Sequence, residues 1–526
     1  MAKAKKVEDI ADVPKAKATK AKPRAKVTKA EAIVEVPKAK AYDTSRRIAR
    51  RLSSIPSARW EVNTLIQTYG NTGVSRSRHL CLNNPYASKA KEEFASALIG
   101  DGIYPASKLD NKEWRQAIRD LWTEFAENSD ADGITDLYGQ QTLIANELFE
   151  AGEAFVRIRP RRESDGLTIP LQLQVLPAEM LPFEKNETGV APGNYVHSGI
   201  EFNPIGQRVA YHFYKYHPGV NASPSIELSS NFYTRVPASE VLHIYKPIRA
   251  GQIRGIPRII SSMVTLAMMD SYDDAELERK RTVALFAAFV KRPKGDDVDH
   301  PFGAVLNDTD VGSAVLTTIG REFVMSPGAV IELEPGEDVA FSEPADVGSS
   351  YEMFQYRMLI RAAAGIGVPY SDMTGDLKGA NYSSIRAGLL SFRRKMKAEQ
   401  KQIITPQLCK PVFKRFLETA TLANNTPWGA SELASNMRSM LNVTWVYPAF
   451  DWVDPLKDMQ AEDLAVQRRY KSRSAVILER GEDPEELDNQ IARDKARDEA
   501  NGFVDEVAEK PAKAGKSKDE ETVEQE

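Results

Sequence analysis

An α+β fold is predicted by three features of the chain. Between Gly152 and Tyr245, the runs GEAFVRIRP, LTIPLQLQVLP, GIEFNPIGQRVAYHFY and ASEVLHIY read as short strands separated by Gly, Pro and Asn turns, the signature of an antiparallel sheet. From Ile256 to Val290 no glycine and no proline beyond Pro257 interrupts the chain, which predicts one helix of about 50 Å at 1.5 Å per residue. From Tyr351 to Ile404 the pattern is helix, glycine-bearing loop, and second basic helix.

The strand region belongs to a mixed α/β body from Asp43 to Ala250. Ser75 to Leu98 reads as helical and is closed by Gly100 and Gly102. Trp114, Ile118, Leu121, Trp122 and Phe125 continue at helical spacing, and aromatics so placed fit a core better than a cofactor box. A turn-rich segment at Asp130 to Gly133 precedes a helix from Thr142 to Ala151. Asn203, Pro204 and Gly206 fit a turn between two antiparallel strands. Pro257 stands where a first helical turn tolerates it.

The long helix carries charge in blocks: Asp270, Asp273, Asp274, Glu276 and Glu278, then Arg279, Lys280 and Arg281. Glu276 and Lys280 stand at i,i+4. Such a belt suits either a solvated face or contacts with neighbouring copies. Pro293 ends the element, and a glycine-rich insert to Pro344 follows, with strand-like runs at Ala314 to Ile319 and Ala329 to Leu333. Two helices flanking an insert suggest a stalk with a separate tip.

The second helix of the stalk, Tyr351 to Ala364, is stopped by Gly365, Gly367 and Pro369. After the loop, Ile385, Leu389, Phe392, Met396 and Ile403 mark one helix face, and Arg386, Arg393, Arg394, Lys395, Lys397 and Lys401 occupy the others. A helical pattern continues past Pro406 to about Leu422, and two further helices follow Trp445, separated by Gly481 and Pro484.

Composition narrows the function classes. With 70 Lys and Arg against 74 Asp and Glu, the 526-residue chain has a net charge of −4, so it is not a basic body that clamps DNA by phosphate neutralisation. The local exceptions are the Lys-rich stretch from Ala2 to Ala41 and the arginines at 46, 47, 50 and 51, for which a solvated arm or face and nucleic-acid contact are the two readings. Two cysteines, Cys81 and Cys409, exclude a disulfide framework and suggest a reducing compartment and buried thiols. The N-terminus has no apolar core of a secretory signal, and Ile256 to Leu266 is too short to span a bilayer, which together predict a soluble protein.

Catalytic motifs are missing. The chain has no HExxH, no CxxC pair and no G-x-x-x-x-G-K-[ST]. Gly375 and Gly379 are not followed by Lys-Ser or Lys-Thr, and the six histidines (His79, His197, His212, His217, His243 and His300) are scattered without ligand spacing and read as isolated residues. Asp273 and Asp274 are adjacent on a helix and diverge by about 100°, so they form no acid/base dyad by themselves.

The order of LNNPYASKA, GDGIYP, GEAFVRIRP, VLPAEMLP, GIEFNPIGQRVAYHFY, VPASEVLHIY, GQIRGIP, GVPYSDMTGD, NYSSIRAGLL and WVDPLKDMQAE resembles the lambda family of tailed-phage portal proteins. The resemblance covers roughly Asp43 to Phe503. Each motif alone is weak, and their shared order is the signal. It implies a homo-oligomeric ring, typically a dodecamer, assembled in the host cytoplasm and seated at one capsid vertex of the virion. Double-stranded DNA is packaged and ejected through such a ring. Implied partners are the terminase large subunit, head-tail adaptor proteins, the major capsid protein and scaffolding protein. No enzymatic activity, cofactor, metal or membrane is implied.

By the same resemblance, 1–42 is a disordered basic arm, 43–255 an α/β wing, 256–292 and 347–366 the two stem helices, and 293–346 a clip. Residues 367–382 are then a tunnel loop, 383–425 a long helix returning to the wing, 426–507 a helical crown and 508–526 a disordered tail. Asp372, Asp376, Lys378 and Asn381 are expected to approach the channel axis. Asp270, Asp273, Asp274, Glu276, Glu278, Arg279, Lys280 and Arg281 are expected at subunit interfaces or on the channel wall. Arg393, Arg394 and Lys395 are candidates for contact with DNA or an adjacent subunit. Two rival classes are an architectural DNA-binding protein using the basic arm, and a capsid-associated protease or nuclease.

Overall fold

A computed structural model of the chain describes residues 61–220, 232–285, 288–290, 330–332, 348–378, 382–450 and 455–502. The predicted arm, the tail, the basic segment at 43–52, Asn381 and nearly all of the insert between Pro293 and Pro344 lie outside the described residues.

Two helices open the body, α1 (Val62–Asn83) and α2 (Pro85–Leu98). The single helix expected through Ser75–Leu98 is therefore broken, because a residue before proline is driven out of the helical region and Asn84 is extended at φ −96°. Asn84 turns the break into a joint. Its Oδ1 accepts from the Ala87 N–H at 2.9 Å as an N-cap, and its Nδ2 donates to Asp270 at 2.7 Å.

After β1 (Tyr104–Ser107) come α3 (Lys112–Glu127) and α4 (Leu137–Glu150). Between these helices the Asp130 carboxylate accepts the N–H groups of Asp132, Ile134 and Thr135 and the Gln140 amide. Partial burial opposes its charge, but those four donors outweigh it and hold the carboxyl below its usual range.

The runs read as strands between Gly152 and Tyr245 are strands, joined by three more that the sequence did not single out. β2 (Glu153–Pro160) and β3 (Leu171–Leu176) pair antiparallel, with Phe155 opposite Leu176. The second sheet adds β4 (Glu187–Thr188), β5 (Tyr195–His197), β6 (Ile200–Phe202), β7 (Arg208–Tyr214) and β8 (Tyr233–Pro237), in that spatial order and all antiparallel. The Asn203 turn joins β6 to β7, and its carboxamide oxygen accepts from the Gln207 N–H at 2.7 Å. β9 (Val241–Tyr245) returns to the other side of β2, giving the order β3-β2-β9.

Arg254, fully buried, ties the two sheets together. It donates to Glu153 of β2 at 2.8 Å, to the Ser198 carbonyl at 2.9 Å and to the Leu181 carbonyl at 3.0 Å, and it lies 3.8 Å from the Phe183 ring centroid. The Glu153 carboxylate also accepts from the Gly255 N–H at 2.7 Å and sits 2.9 Å from His243 Nε2.

The long helix is shorter than its sequence suggests. A 3₁₀ turn over Arg258–Ser261 precedes α5 (Met263–Leu285), about 35 Å long at 1.5 Å per residue. The delay has a packing cause: a Cβ on Gly152 would lie 2.1 Å from the Ile256 carbonyl carbon, so the chain passes in backbone contact there and cannot yet coil. At the other end the final residues of the expected helix form β10 (Ala288–Val290), which pairs parallel with β11 (Val330–Glu332) of the insert. α6 (Gly348–Ile366) runs back beside α5. The Ser262 hydroxyl donates to the Ala362 carbonyl at one end, and Tyr351 and Gln355 donate to Asp273 at the other.

The segment expected as a structureless loop holds a short helix, α7 (Tyr370–Thr374), ended by Gly375 at φ 72°. It is followed by α8 (Tyr382–Glu399), a π-helical segment Gln400–Cys409, and α9 (Lys410–Leu422). Pro406 lies inside the π segment, where it supplies no N–H. Phe392, Met396, Ile403 and Ile404 of this run are buried, as the spacing predicts for the first three. Phe413 and Phe416 meet Trp122 at 5.6 and 5.1 Å between ring centroids, which confirms the α3 aromatics as core.

The C-terminal region is not wholly helical as expected. Between α10 (Ala430–Met440) and α11 (Pro455–Gln467), β12 (Val443–Val446) pairs antiparallel with β1. Its Val-Thr-Trp-Val composition fits a pleated, half-buried surface. α12 (Arg473–Glu479) and α13 (Pro484–Asn501) close the described chain. Asp483 caps α13, and Arg119 and Arg115 of α3 pair with Asp483 and Glu485 at 2.9 and 3.1 Å.

Candidate functional site

Most of the residues singled out in the sequence sit on three elements that lie apart: the charged belt on α5 beside the start of α6, the segment from Gly367 to Lys378 after the other end of α6, and the basic helix α8. The acidic end of the α5 belt is partly consumed inside the subunit. Asp270 accepts from Asn84, and Asp273 accepts from the Tyr351 hydroxyl at 2.8 Å and the Gln355 amide at 2.6 Å, fixing α6 against α5. Burial, then the Asp273 carboxylate, push the Tyr351 phenol up to about 12, so it remains a donor at neutral pH.

Glu276 takes Arg279 at 2.7 Å in preference to the expected Lys280, which stands at 3.8 Å. The planar guanidinium reaches both carboxylate oxygens from i+3, while an ammonium is a point charge. The Arg279 hydrogen bond is the main cause holding the Glu276 carboxyl low. Asp274, Glu278, Lys280 and Arg281 are exposed, with Arg281 3.4 Å from Glu278.

In the next segment, Met373 is fully buried and Tyr370 packs edge-on to Tyr356 with 5.1 Å between centroids, so α7 is anchored. Asp372 is half-buried, accepts from the Ser371 hydroxyl at 2.9 Å, and has its carboxyl pushed up by burial. Asp376 is held low, first by the Lys378 N–H and then by the Tyr370 hydroxyl. Leu377 and Lys378 form the exposed end of the segment.

On α8, Arg393 lies 5.2 Å from the Phe450 ring centroid. With Arg394, Lys397, Arg480, Glu462 and Glu479 it lines a groove of about 660 Å³. Lys395 is exposed, and Arg386 pairs with Asp458 of α11 at 3.0 Å. The two arginines therefore face α11 and α12 of their own chain.

Two histidines read as isolated are paired. His243 meets Glu153, and His212 Nε2 stands 3.1 Å from Glu201, which Arg235 also binds at 2.7 Å. Pairs separated by 90 and 11 residues in sequence carry no local signal. Burial pushes both imidazoles below their usual range, His243 to about 4, so both are neutral near pH 7. His243 is 1 % exposed at its side chain, sealed inside the sheet junction. The Cys81 and Cys409 thiols are buried and pushed up to about 12 by that burial, which suits the expected apolar role. Among the described residues, no cluster of His, Cys, Asp and Glu has metal-binding geometry, and no helix is long and apolar enough to cross a membrane.

Residues 49–400 match the model of the phage portal protein family, lambda type. A probable portal protein of Halomonas phage phiHAP-1 is 26 % identical over 444 residues, covering 80 % of this chain and 79 % of that protein. The portal protein of Escherichia phage N15 is 21 % identical, covering 82 % of this chain and 85 % of its own. Portal protein B of Escherichia phage lambda is also 21 % identical, with coverages of 82 % and 84 %. Among solved structures, a chain from the neck of a native gene transfer agent particle with C12 symmetry aligns at TM-score 0.36 and 15 % identity, covering 78 % of this chain and 92 % of that one. The family match spans well over half the chain, from before α1 to the start of the π segment, and the chain belongs to the lambda family of phage portal proteins, a structural and non-enzymatic family.

Proposed function

We propose that this chain is the subunit of a closed portal ring, twelve-membered, at one vertex of a phage capsid. Double-stranded DNA enters the capsid through its channel during packaging and leaves through it at infection. The ring docks the terminase large subunit first and head-tail adaptors afterwards, beside the major capsid and scaffolding proteins. The observation that carries this reading is the family match over residues 49–400.

In this reading 43–255 form the wing, α5 and α6 the stem, 293–346 the clip, and 426–507 the crown. The tunnel segment is 367–382, and 383–425 return to the wing. Leu377 and Lys378 then lead the approach to the axis, with Asp372 and Asp376 behind them on the anchored side. A channel through which duplex slides must not hold phosphate tightly, since each neutralised phosphate adds salt-sensitive affinity and therefore friction. The Asp376 carboxylate, which feels the Lys378 charge, and the net charge of −4 support that requirement.

Lys378→Ala is expected to leave ring formation unchanged and to alter DNA packaging or retention in assembled particles. The check combines particle counts by electron microscopy with nuclease-protected DNA per particle. Loss of ring assembly in this variant would make Lys378 structural.

A further inference from the structure

The groove between α8, α11 and α12 carries surplus positive charge and an unmet hydrogen-bond acceptor. Its two carboxylates are matched within the chain: Lys471 reaches Glu479 at 2.7 Å and Glu462 at 3.5 Å, and Arg480 reaches Glu462 at 3.6 Å. The cations of α8 are not matched in this way. Arg393 lies against the Phe450 ring and within the field of Asp372. Arg394 and Lys397 stand exposed, one turn apart, and among the described residues no carboxylate is within ion-pair distance of either. Glu462 adds a second irregularity, because its Oε2 is buried yet accepts no hydrogen bond. A buried acceptor left without a donor is costly.

An occupant of this groove must bring acceptors for Arg394 and Lys397, a donor for Glu462 Oε2, and apolar surface for Leu390, Ala449 and Phe450. The backbone of duplex DNA brings phosphate oxygens but no N–H or O–H donor, so it meets only the first need. An acidic polypeptide meets all three, with carboxylates, backbone N–H groups and an aliphatic side chain. This chain contains such a segment. Residues 519–526 read DEETVEQE, five acids and no base, with Val523 between Glu521 and Glu524.

The segment is within reach. Arg480 comes three residues before Asp483, the cap of α13, and α13 is about 27 Å long at 1.5 Å per residue. Residues 503–518 can span up to about 55 Å, so the acidic run can return past the whole of α13 to the groove.

We propose that the acidic run Asp519–Glu526 lies in this groove, with its carboxylates on Arg394 and Lys397 and a backbone N–H on Glu462 Oε2. So seated, it closes this basic face of α8 to other polyanions. The contact goes beyond the portal reading and does not rest on it.

The test uses the full-length chain. A variant carrying Asp519→Asn, Glu520→Gln, Glu521→Gln, Glu524→Gln and Glu526→Gln vacates the groove, and a labelled peptide of residues 518–526 is titrated into it at low salt by fluorescence anisotropy. Saturable binding to this variant is expected, at least about tenfold tighter than binding to the wild-type chain, whose own segment competes. Adding Arg394→Glu and Lys397→Glu, both at exposed positions, is expected to weaken the peptide about tenfold or more while circular dichroism stays unchanged. Carbodiimide coupling, which joins an ammonium to a carboxylate in contact, is expected to link Lys397 to the acidic run in the wild-type chain. No peptide binding, equal affinity for the wild-type and neutralised chains, equal affinity with and without the two glutamates, or coupling spread evenly over the surface lysines overturns the proposal. None of these outcomes bears on ring formation, so the portal reading is tested separately.

Discussion

Arg254→Met is expected to destabilise the subunit by about 3–5 kcal/mol, because removing one partner leaves the buried Glu153 carboxylate uncompensated. The substitution also orphans the carbonyls of Ser198 and Leu181. Urea unfolding followed by tryptophan fluorescence reads the effect, and a loss below about 1 kcal/mol would mean the two sheets are held mainly by apolar packing. The same cluster sets an acid limb. Burial opposes ionisation of Glu153, yet Arg254 and His243 outweigh it and hold the carboxyl down to about 2, while burial depresses His243 to about 4. Both shifts are downward, so both contributions are present above the ordinary values of the free groups and are lost as pH falls. The His243 contribution fades between about 6.5 and 4, and that of Glu153 between about 4.5 and 2. Stability is therefore expected to fall from pH 6.5 downward and further below 4.5, and His243→Gln is expected to flatten the upper limb and, by removing one of the groups that hold Glu153 down, to move the lower limb toward higher pH.

Gly152→Ala is the second large effect. Gly152 has φ 82°, where a side chain costs roughly 1–2 kcal/mol. Its added Cβ would also stand 2.1 Å from the Ile256 backbone, and overpacking adds roughly 1–3 kcal/mol. A total loss of about 2–5 kcal/mol is expected, accompanied by a shift of the 3₁₀ turn that feeds α5. Hydrogen exchange on peptides spanning 255–270 should show loosened protection at the root of the hairpin. Unchanged protection and a loss under about 1 kcal/mol would show that Ile256 can move aside freely.

What was legible in the sequence was what neighbouring residues decide. Strands β2, β3, β6, β7 and β9 announced themselves by composition and by Gly, Pro and Asn turns. The buried face of α8 did so by the spacing of Phe392, Met396 and Ile403. What escaped was decided at long range. The start of α5 depends on Gly152, far back in the chain, and β12 becomes a strand by pairing with β1 across more than 300 residues. The α1–α2 break is the exception, since Pro85 was a local signal outvoted by the helical pattern on both sides.

The candidate site divides in the same way. The charged belt was visible as a block, but not that Asp273 would be spent on Tyr351, 78 residues away, or that Arg279 would displace Lys280. Arg393 and Arg394 were legible as basic residues on a helix. Their orientation toward Phe450 and the carboxylates of α11 and α12 depended on how the C-terminal helices pack.

Electron microscopy of the purified full-length chain tests the portal reading most directly. Closed rings with an axial opening in end view, and a wider body tapering to a stalk in side view, are the expected result. A population of folded monomers or two-fold dimers across a range of protein concentrations would contradict it.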